Sequence, residues 1–386
     1  MSKEKFLNIL DLGNSKIRFT VFNKKYEKSF SENILVNYEN DYSNHFNEIN
    51  KIIKQAEKKI SSHIENIVLI TDSKSSFSID LSFSKTLDKK EDIKVVYNNI
   101  LKEANHLIGS NYQNYTILHT ILNKCIIDGK IFNTLPNIKN IKNIKFDFKF
   151  VCLPKNLINN LKNKFIESNI NITSIFCTSY VKTLFYLNKL NLKNVSFLEM
   201  GWDRTTFLSF KNGILISFFS IPIGGSHITK DISKIFKITI DNAEKIKQIF
   251  CKSNTEFSYE NEKNISKLVF TELIQKNISI NLLKKVILYR IQEIIDLIYI
   301  KSDNKITKII DKESKLFLIG KGSSLFNNNS FYIEDKFEFS SLNFYNESDF
   351  DICKSGLVYY LNNYIVLDSS HKKLGIFEKF FNLFSK

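Results

Sequence analysis

The sequence predicts an α/β protein made of two similar domains. A strand, an acidic turn and a second strand open each half of the chain, around Asp11 and around Glu199, and helical segments and further short strands follow each unit. The chain has 386 residues, 43% of them hydrophobic. That length and composition allow two or more folding units and exclude an intrinsically disordered chain.

The first half alternates strands with helices. Its strands are predicted at 6–10, 17–22, 67–70 and 148–153, and its helices at 44–60, from Pro154 to 166 and at 174–189. Residues 73–150 differ from this pattern, because short strand-like runs surround a single helix near 91–107. They predict a small α+β subdomain inserted into the first domain.

The second half repeats the plan of the first. VSFLEM, TTFLSF and ILISFFSI predict three strands, and Asn212-Gly213 between the last two is typical of a two-residue hairpin turn. Helices are predicted over 226–250 and 266–301. After them, KLFLIGKGSS reads as a strand with a glycine turn, and SGLVYYLNNYI as a helix.

Composition excludes several classes of protein. The five cysteines form no CxxC pair, so neither a zinc site nor a disulfide framework is expected. No run of about 18 uncharged apolar residues predicts a transmembrane helix, and the N-terminus lacks the apolar core of a signal peptide. The net charge of +15 is what a nucleic-acid partner would select. The chain is also rich from end to end in Lys, Asn, Ile and Phe, whose codons are A/T-rich, and an A/T-rich genome produces the same excess of lysine. We therefore expect no nucleic-acid partner, and the cysteine pattern predicts a cytoplasmic protein.

The turn DLGNSK in the first half is a candidate phosphate site. Gly13 allows a close backbone approach, and Asn14, Ser15 and Lys16 offer N–H and side-chain donors to a phosphate. Asp11 ends the strand and could hold a divalent cation through water. A hairpin with such a turn is often no more than a hairpin, so this pattern alone leaves both interpretations open.

Two turns in the second half strengthen the phosphate hypothesis. Glu199 and Gly201 repeat the pattern of an acidic residue and a glycine in a turn between two strands. Two such hairpins in opposed domains can bind the phosphates of one nucleotide from both sides. The third turn contains Gly320, Gly322 and Ser323 and follows a strand. Its glycines would let the backbone approach a flat base or ribose.

These motifs together resemble the FtsA family of actin-like ATPases. DLGNSK is similar to the family's first phosphate motif, SIPIGGSHITKDIS to its segment after the second phosphate hairpin, and DNAEKIK to its adenosine helix. YTILHTILNKCIIDG resembles part of the inserted subdomain, and ILYRIQEII the helix near the FtsZ-tail site. The matches are collinear over nearly the whole chain.

The resemblance implies a set of domains and ligands. It implies the actin-like, ribonuclease H-like duplicated fold, with ATP and Mg as ligands. The implied boundaries are 1–72 and 151–191 for subdomain 1A, 73–150 for 1C, 192–230 and 308–368 for 2A, 231–307 for 2B, and 369–386 for a tether and membrane helix.

The resemblance also assigns site residues. The phosphates and Mg, the latter through water at Asp11, would be held by Asp11, Gly13, Asn14, Ser15, Lys16, Glu199, Gly201 and Thr205. Adenosine would be held by Glu244, Lys247, Gly320, Gly322 and Ser323, and the FtsZ tail would bind near Arg290 and Glu293. No catalytic residue is predicted.

The second phosphate loop departs from the family pattern. The family usually has D-x-GGGT, whereas this chain has Glu199, Met200, Gly201, Trp202, Asp203, Arg204 and Thr205. The longer glutamate would shift a cation, and the bulky or charged side chains replace two glycines that let the backbone approach a phosphate. Asp203 would repel a phosphate, and Arg204 could offset this. We therefore expect ATP binding with weak or absent hydrolysis.

The C-terminal segment predicts an amphipathic helix. At about 100° per residue, one half of the wheel carries Leu374, Ile376, Phe377, Phe380, Phe381, Leu383 and Phe384. Such a helix can dock on its own protein or lie in a membrane interface. The resemblance favours the membrane, with Leu374, Phe377, Phe380, Phe381 and Phe384 as targeting residues.

The leading hypothesis is an actin-like division protein. It would polymerise at the cytoplasmic side of the cell membrane at the division site, tether FtsZ through the FtsZ C-terminal tail, and recruit other division proteins through subdomain 1C. The alternatives are a PilM-like adaptor of a membrane-associated platform and a small-molecule kinase of the same superfamily. A chaperone ATPase is disfavoured, because such a protein carries a long substrate-binding region after the nucleotide domain, and only about 25 residues follow the last predicted connecting helix here.

Overall fold

The chain folds into two compact units. The first comprises residues 1–193, 210–219 and 347–386, and the second comprises residues 194–209 and 220–346. The structure is a computed structural model, and it describes residues 6–36, 42–87, 92–132, 134–136, 138, 141–252, 278–302, 314–326 and 331–368.

In the described residues, nine strands lie entirely within the first unit. They are Leu7–Leu12 (β1), Lys16–Phe22 (β2), Lys28–Leu35 (β3), Asn66–Thr71 (β4), Phe77–Thr86 (β5), Tyr115–Ile127 (β6), Lys130–Phe132 (β7), Asn143–Pro154 (β8) and Asn171–Cys177 (β9). Its first four helices are Tyr42–Ile60 (α1), Ile93–Asn111 (α2), Lys155–Glu167 (α3) and Thr178–Lys189 (α4).

A five-stranded sheet carries the candidate site of this unit. Its order is β3-β2-β1-β4-β9; β1 to β3 form an antiparallel meander, and β1, β4 and β9 run parallel. β1 is buried along almost its whole length, as expected for a central strand covered on both faces. One face packs against α1 and α3, and the C-terminal helix contacts the sheet as well.

A second hydrophobic cluster lies among residues 87–152. It is formed by α2 and an antiparallel sheet of order β5-β8-β6-β7. Aromatic rings contact each other within it: Tyr97 meets Phe146 edge to face, with ring centroids 5.5 Å apart. All of this cluster except Cys152 falls within residues 73–150, the segment predicted as the inserted subdomain 1C, and the four-part subdivision itself stays a prediction.

The second unit combines a mixed sheet with helices. Its strands are Val195–Met200 (β10), Thr205–Lys211 (β11), Ile214–Ile221 (β12), Lys315–Ile319 (β13) and Ser341–Phe344 (β14). Residues 210–219 of β11 and β12 count with the first unit. The helices are Gly225–Phe236 (α5), Ile240–Lys252 (α6), Ile280–Lys301 (α7), the 3₁₀ helix Lys321–Phe326 and Phe331–Glu334 (α8).

The strand order confirms the duplication that the sequence predicts. In the second unit the order is β14-β13-β10-β11-β12, and β10, β13 and β14 run parallel. The first unit has the same plan, with a three-strand run followed by two parallel neighbours. The Asn212-Gly213 hairpin is also confirmed, because both residues have positive φ angles of 52° and 76°.

Several predicted elements differ in their bounds. The predicted helix 174–189 starts at Thr178, because the preceding residues pair with β4 as strand β9. The predicted helix 226–250 is two helices, since Lys237 ends α5 in a left-handed conformation and Thr239 accepts the first bonds of α6. β3 was not predicted at all; its exposed residues lack a hydrophobic pattern.

The C-terminal part of the described chain is one helix, Asp349–Asp368 (α9). It packs in the first unit against β1, β4 and α4, although the sequence assigned it to subdomain 2A. The close fit of Gly356 to Ile9 and Ile70 explains the glycine there, because a Cβ would lie about 3 Å from both side chains. Among the described helices, none combines the length and apolar character needed to cross a membrane.

Candidate functional site

The first predicted phosphate turn lies between β1 and β2. Gly13 N donates to Lys16 O at 3.2 Å, and a Cβ on Gly13 would stand 2.7 Å from that same oxygen. Glycine is therefore required by the turn itself. Asn14 and Ser15 are half-buried at its tip, and Ser15 O accepts a hydrogen bond from Val36 N.

The carboxylate of Asp11 is already held by the protein. Its side chain is 2% exposed, Oδ2 lies 2.6 Å from Arg18 Nη1, and Oδ1 accepts a hydrogen bond from Thr178 Oγ1 at 3.1 Å. Asp11 and Arg18 are direct cross-strand partners in the β1–β2 register. Burial raises the pKa of Asp11, and Arg18 partly offsets the effect.

Lys16 and Arg18 both bind Asp349, at the start of α9. Lys16 Nζ donates to Asp349 Oδ2, and Arg18 Nε donates to Asp349 Oδ1 at 2.6 Å. Burial alone would raise the pKa of Asp349, but the hydrogen bonds from Lys16 and Arg18 outweigh it and lower that pKa. The predicted phosphate-binding lysine is thus part of a network of two acids and two bases.

These contacts do not suit the predicted magnesium site. Mg²⁺ requires six oxygen ligands in near-ideal octahedral geometry, usually several of them water, and Asp11 is 2.6 Å from a guanidinium instead. A dication beside Asp11 would face the charge of Arg18 at short range. Among the described residues, no group of three or more acidic, histidine or cysteine side chains could hold a metal ion.

The second predicted turn repeats the geometry of the first. Gly201 N donates to Arg204 O at 2.9 Å, as Gly13 N does to Lys16 O. Glu199 Oε1 lies 3.4 Å from Arg204 Nη2, and both side chains are 8% exposed. Thr205, a predicted phosphate ligand, is buried and donates its hydroxyl to Ile223 O at 2.8 Å.

The N-terminus of α5 binds this turn. Gly225 N donates to Gly201 O at 3.0 Å, and Ser226 N donates to Trp202 O at 2.7 Å. Gly224 is packed against the same turn, because a Cβ on it would lie 2.7 to 2.8 Å from three backbone atoms. Backbone amides at a helix N-terminus can bind a phosphate, but those of Gly225 and Ser226 donate to the turn instead and hold it in position.

The predicted adenosine residues Glu244 and Lys247 form a buried pair beside the turn. Lys247 Nζ lies 2.6 Å from Glu244 Oε2, 2.7 Å from Thr229 Oγ1 and 3.0 Å from Gly225 O. Thr229 donates its hydroxyl to Glu244. Lys247 Nζ also lies 5.1 Å from the ring centroid of Trp202, which fixes the indole by a cation–π contact.

The third predicted turn packs on Met200. Gly320 has a φ of +83°, and a Cβ on it would be 2.5 Å from Met200 O; one on Gly322 would be 2.7 Å from Met200 Cγ. Ser323 closes the turn, since its N and Oγ both bind Gly320 O. The 3₁₀ helix after Gly320 also contacts α6.

The structure therefore gathers the predicted residues of each half within its own unit. In the second unit, the pair Glu244–Lys247 and the turn at Gly320 pack against the turn Met200–Arg204; we call these three parts the second-unit cluster. Asp203 Oδ1 is buried there without a hydrogen-bond partner among the described residues. A ligand hydroxyl or amino group could donate to it.

Sequence reasoning missed several members of these networks. Arg18, Asp349, Thr178 and Thr229 were not predicted, although each contacts a predicted residue. The position of Arg18 could have been inferred, because the residue opposite Asp11 follows from a short hairpin turn. Asp349 lies 331 residues from Arg18, and nothing local in the sequence indicates that contact.

Arg290 and Glu293 lie on α7. Arg290 Nε donates to Asp231 Oδ2 on α5 at 2.7 Å, and its Nη1 donates to Glu293. The hydrogen bond to Asp231 is the main cause of a raised pKa at Arg290. Tyr289 beside them is 66% exposed. The predicted membrane-targeting residues, Leu374 to Phe384, lie outside the described residues.

Comparisons with known proteins agree with the duplicated fold. The family model described as cell division protein FtsA matches residues 197–340. FtsA of Bacillus subtilis is 30% identical over 134 residues, which is 34% of this chain and 30% of that protein. FtsA of Streptococcus pneumoniae is 20% identical over 348 residues, 84% of this chain and 72% of that protein. The chain thus spans less than a third of the first relative and nearly three quarters of the second.

A solved structure shares the fold at greater distance. The type IV pilus complex PilM–PilN contains a chain that superposes with a TM-score of 0.56 at 10% identity, covering 92% of this chain and 98% of that one. At that identity, the similarity shows the fold alone.

Proposed function

We propose that this chain, an FtsA-like member of the actin-like ATPase family, is a nucleotide-binding cell division protein that links FtsZ to the membrane. One observation carries the proposal. The matched segment 197–340 contains the whole second-unit cluster, in which the turn after Glu199, the pair Glu244–Lys247 and the turn at Gly320 lie together.

ATP is the proposed ligand, held mainly as a structural element. The turns at Gly13 and Gly201 would address its phosphates, and Glu244, Lys247 and the turn at Gly320 would address adenosine. Bulky or charged side chains in Trp202-Asp203-Arg204 replace two glycines of the family's loop, so close approach of the backbone to the γ-phosphate is hindered. Hydrolysis is therefore proposed to be weak or absent. Magnesium is left out of the proposal, because Arg18 holds the carboxylate of Asp11.

The proposed partners are the FtsZ tail, further copies of the chain and other division proteins bound through the inserted subdomain. Arg290 and Glu293 are proposed for the FtsZ tail. Three exposed apolar side chains on α7, Leu282, Tyr289 and Ile300, are spaced by 7 and 11 residues and so lie along one helix face. This surface suits an apolar and acidic peptide segment.

Membrane attachment is proposed for residues 371–386. Their apolar face and lysines suit the cytoplasmic interface of an anionic membrane. A single short helix gives weak binding, and several tethered helices on one polymer would raise the effective concentration. Self-assembly and attachment would then depend on each other. The proposed location is the cytoplasmic side of the membrane at the division site.

Thermal unfolding with nucleotide tests ligand binding. ATP at millimolar concentration is expected to raise the melting temperature, because a ligand that binds only the folded state stabilises it. CTP at equal concentration is the control for ionic effects. Identical melting temperatures with ATP, with CTP and without nucleotide would count against the proposal.

Liposome sedimentation tests the anchor, and peptide binding tests the FtsZ link. Removal of residues 371–386 is expected to abolish sedimentation with anionic vesicles. Arg290→Glu is expected to weaken binding of a labelled FtsZ tail peptide at least tenfold, whereas Lys102→Glu, exposed on α2, leaves it unchanged. Retained sedimentation, or equal peptide affinity of the two variants, would remove the corresponding part of the proposal.

A PilM-like adaptor is the second candidate. The superposition on the PilM–PilN complex covers 92% of this chain, so the fold suits that role equally well. An adaptor of that kind would not bind the FtsZ tail. Pull-down with the FtsZ tail peptide therefore separates the two functions, since only the first predicts retention that depends on Arg290.

A further inference from the structure

Both oxygens of the Asp349 carboxylate are held by the predicted phosphate turn of the first unit. Lys16 Nζ donates to Oδ2, and Arg18 Nε donates to Oδ1 at 2.6 Å. All three residues belong to the first unit. Two cationic donors that converge on two oxygens of one anion also suit a phosphate group. Asp349 therefore occupies the donors that this turn would offer to a phosphate.

The charges of the turn balance while Asp349 is in place. Arg18 also binds Asp11, with 2.6 Å between Nη1 and Oδ2, so that Lys16 and Arg18 face two carboxylates in the part of the chain that the structure describes. A group without net charge does not attract a polyphosphate. If Asp349 leaves, Arg18 stays paired with Asp11, and the turn gains a positive charge on the Lys16 ammonium. That ammonium would then meet the phosphate.

Of the two acids, Asp349 is the one that can leave. Its side chain is 34% exposed, so water can solvate the released carboxylate. Asp11 is 2% exposed and also accepts a hydrogen bond from Thr178 Oγ1 at 3.1 Å. A carboxylate buried to that extent needs its charge partner. An incoming anion would therefore displace Asp349 and leave the pair Asp11–Arg18 intact.

The start of α9 is held by contacts other than the side chain of Asp349. Ser348 Oγ accepts a hydrogen bond from Asp351 N at 2.9 Å, which is the bond of an N-cap residue. Phe350 contacts Phe22, with ring centroids 5.8 Å apart. The helix can therefore keep its cap and its packing when Asp349 turns into solvent.

We propose that Asp349 competes with the nucleotide for Lys16, so that a phosphate of ATP binds the turn by displacing this carboxylate. The inference rests on the proposed nucleotide binding and adds how that site is regulated. Because linkage is reciprocal, ATP that displaces Asp349 loosens the start of α9, and any partner that draws the start of α9 away from the turn strengthens ATP binding.

Calorimetric titration of ATP into the full-length protein tests the competition. Asp349→Asn keeps the shape of the side chain and removes its charge, so it is expected to bind ATP at least about tenfold more tightly than wild type. Asp351→Asn is the matched control. Asp351 lies in the same helical turn but binds Lys189 at 2.9 Å, so its variant is expected to bind ATP as wild type does. If Asp349 only positioned the helix, its loss would weaken ATP binding instead.

Cross-linking of wild type tests the displacement without any variant. A zero-length carbodiimide joins a lysine to a carboxylate that it contacts, and mass spectrometry identifies the joined peptides. Without ATP, we expect both a Lys16–Asp349 and a Lys189–Asp351 product. Saturating ATP is expected to remove most of the first product and to leave the second unchanged. This arm decides the proposal even if Asp349→Asn does not fold.

The outcomes separate the inference from the proposed function. Equal or weaker ATP binding by folded Asp349→Asn overturns the inference, and so does a Lys16–Asp349 product that persists at saturating ATP; nucleotide binding then still stands. An equal gain in affinity by Asp351→Asn would assign the effect to the general charge of α9 and overturn the competition for Lys16. If neither wild type nor Asp349→Asn shows a heat of binding or a change in melting temperature, nucleotide binding itself is overturned, and the inference with it.

Discussion

His119, a buried residue, shares a hydrogen bond with Tyr359 inside the first unit, with 2.9 Å between Nδ1 and the phenolic oxygen. The other ring nitrogen, Nε2, accepts from Cys177 N at 2.9 Å. Because Nε2 is an acceptor, the ring proton lies on Nδ1 and is donated to Tyr359. The imidazole is neutral and links β6, the end of β9 and α9.

This arrangement predicts that acid destabilises the protein. Burial lowers the pKa of His119 to about 3, below its usual value of about 6.5. Between those values the unfolded chain binds a proton that the folded chain does not. Stability from this histidine is therefore complete above pH 6.5 and declines by about 1.4 kcal/mol per pH unit below it. Urea unfolding at pH 7, 6 and 5 measures the slope.

Two variants isolate the contribution of His119. His119→Phe cannot be protonated, so it should be less stable at pH 7 but lose less stability on acidification. His106→Gln, exposed on α2, should keep the slope of wild type. A slope in His119→Phe equal to that of wild type would show that other groups cause the acid sensitivity.

The order of strands and turns could be predicted from the sequence, because it depends on local residue patterns. The strand–turn–strand units at Asp11 and Glu199 and the Asn212-Gly213 hairpin depend on neighbouring residues. The structure confirms both. The predicted bounds were wrong where pairing with a distant strand decides the structure. Residues 174–177, predicted as the start of a helix, are the end of β9, because they pair with β4.

The glycine turns of the candidate site could be predicted from the sequence, but the charged partners of its side chains could not. Glycines at 13, 201 and 320 were recognisable from their turns, and each is tightly packed in the structure. The neutralising partner Asp349 is contributed by a helix more than 300 residues away from Lys16. Only the folded chain shows that Asp11 is already paired, which changes the expected role of the metal.

Lys247 is predicted to hold the second-unit cluster together. Lys247→Met removes the cation that pairs with buried Glu244 and contacts Trp202. Leaving one member of a buried ion pair without its partner costs about 3 kcal/mol. We expect a loss of this size in urea unfolding, together with a change in Trp202 emission and easier quenching of the indole by acrylamide.

The neighbouring lysine provides the matched control for this prediction. Lys245 is exposed on the same helix, two residues from Lys247, so Lys245→Met changes the same chemistry without touching the pair. It should alter stability by less than about 0.5 kcal/mol and leave Trp202 emission unchanged. Equal effects of the two substitutions would mean that the Glu244–Lys247 pair does not stabilise the turn.

The turn at Gly320 gives a steric prediction with an internal standard. Gly320 and Gly129 have nearly equal φ angles of +83° and +81°, but a Cβ on Gly320 would lie 2.5 Å from Met200 O, whereas nothing lies within 4 Å of one on Gly129. Alanine at either position incurs the cost of the left-handed conformation, about 1 to 2 kcal/mol. Gly320→Ala must also displace β10 or its own turn, which adds about 1 to 3 kcal/mol.

The difference between these two variants therefore measures the packing of the glycine turn on Met200. We expect Gly320→Ala to lose at least 1 kcal/mol more than Gly129→Ala in urea unfolding and to bind ATP more weakly, because the turn also contacts α6. Gly129→Ala should keep the ATP affinity of wild type, since its turn joins β6 and β7 in the first unit. Equal losses would show that Met200 yields to the new methyl group, and the close approach would then not be what positions the turn.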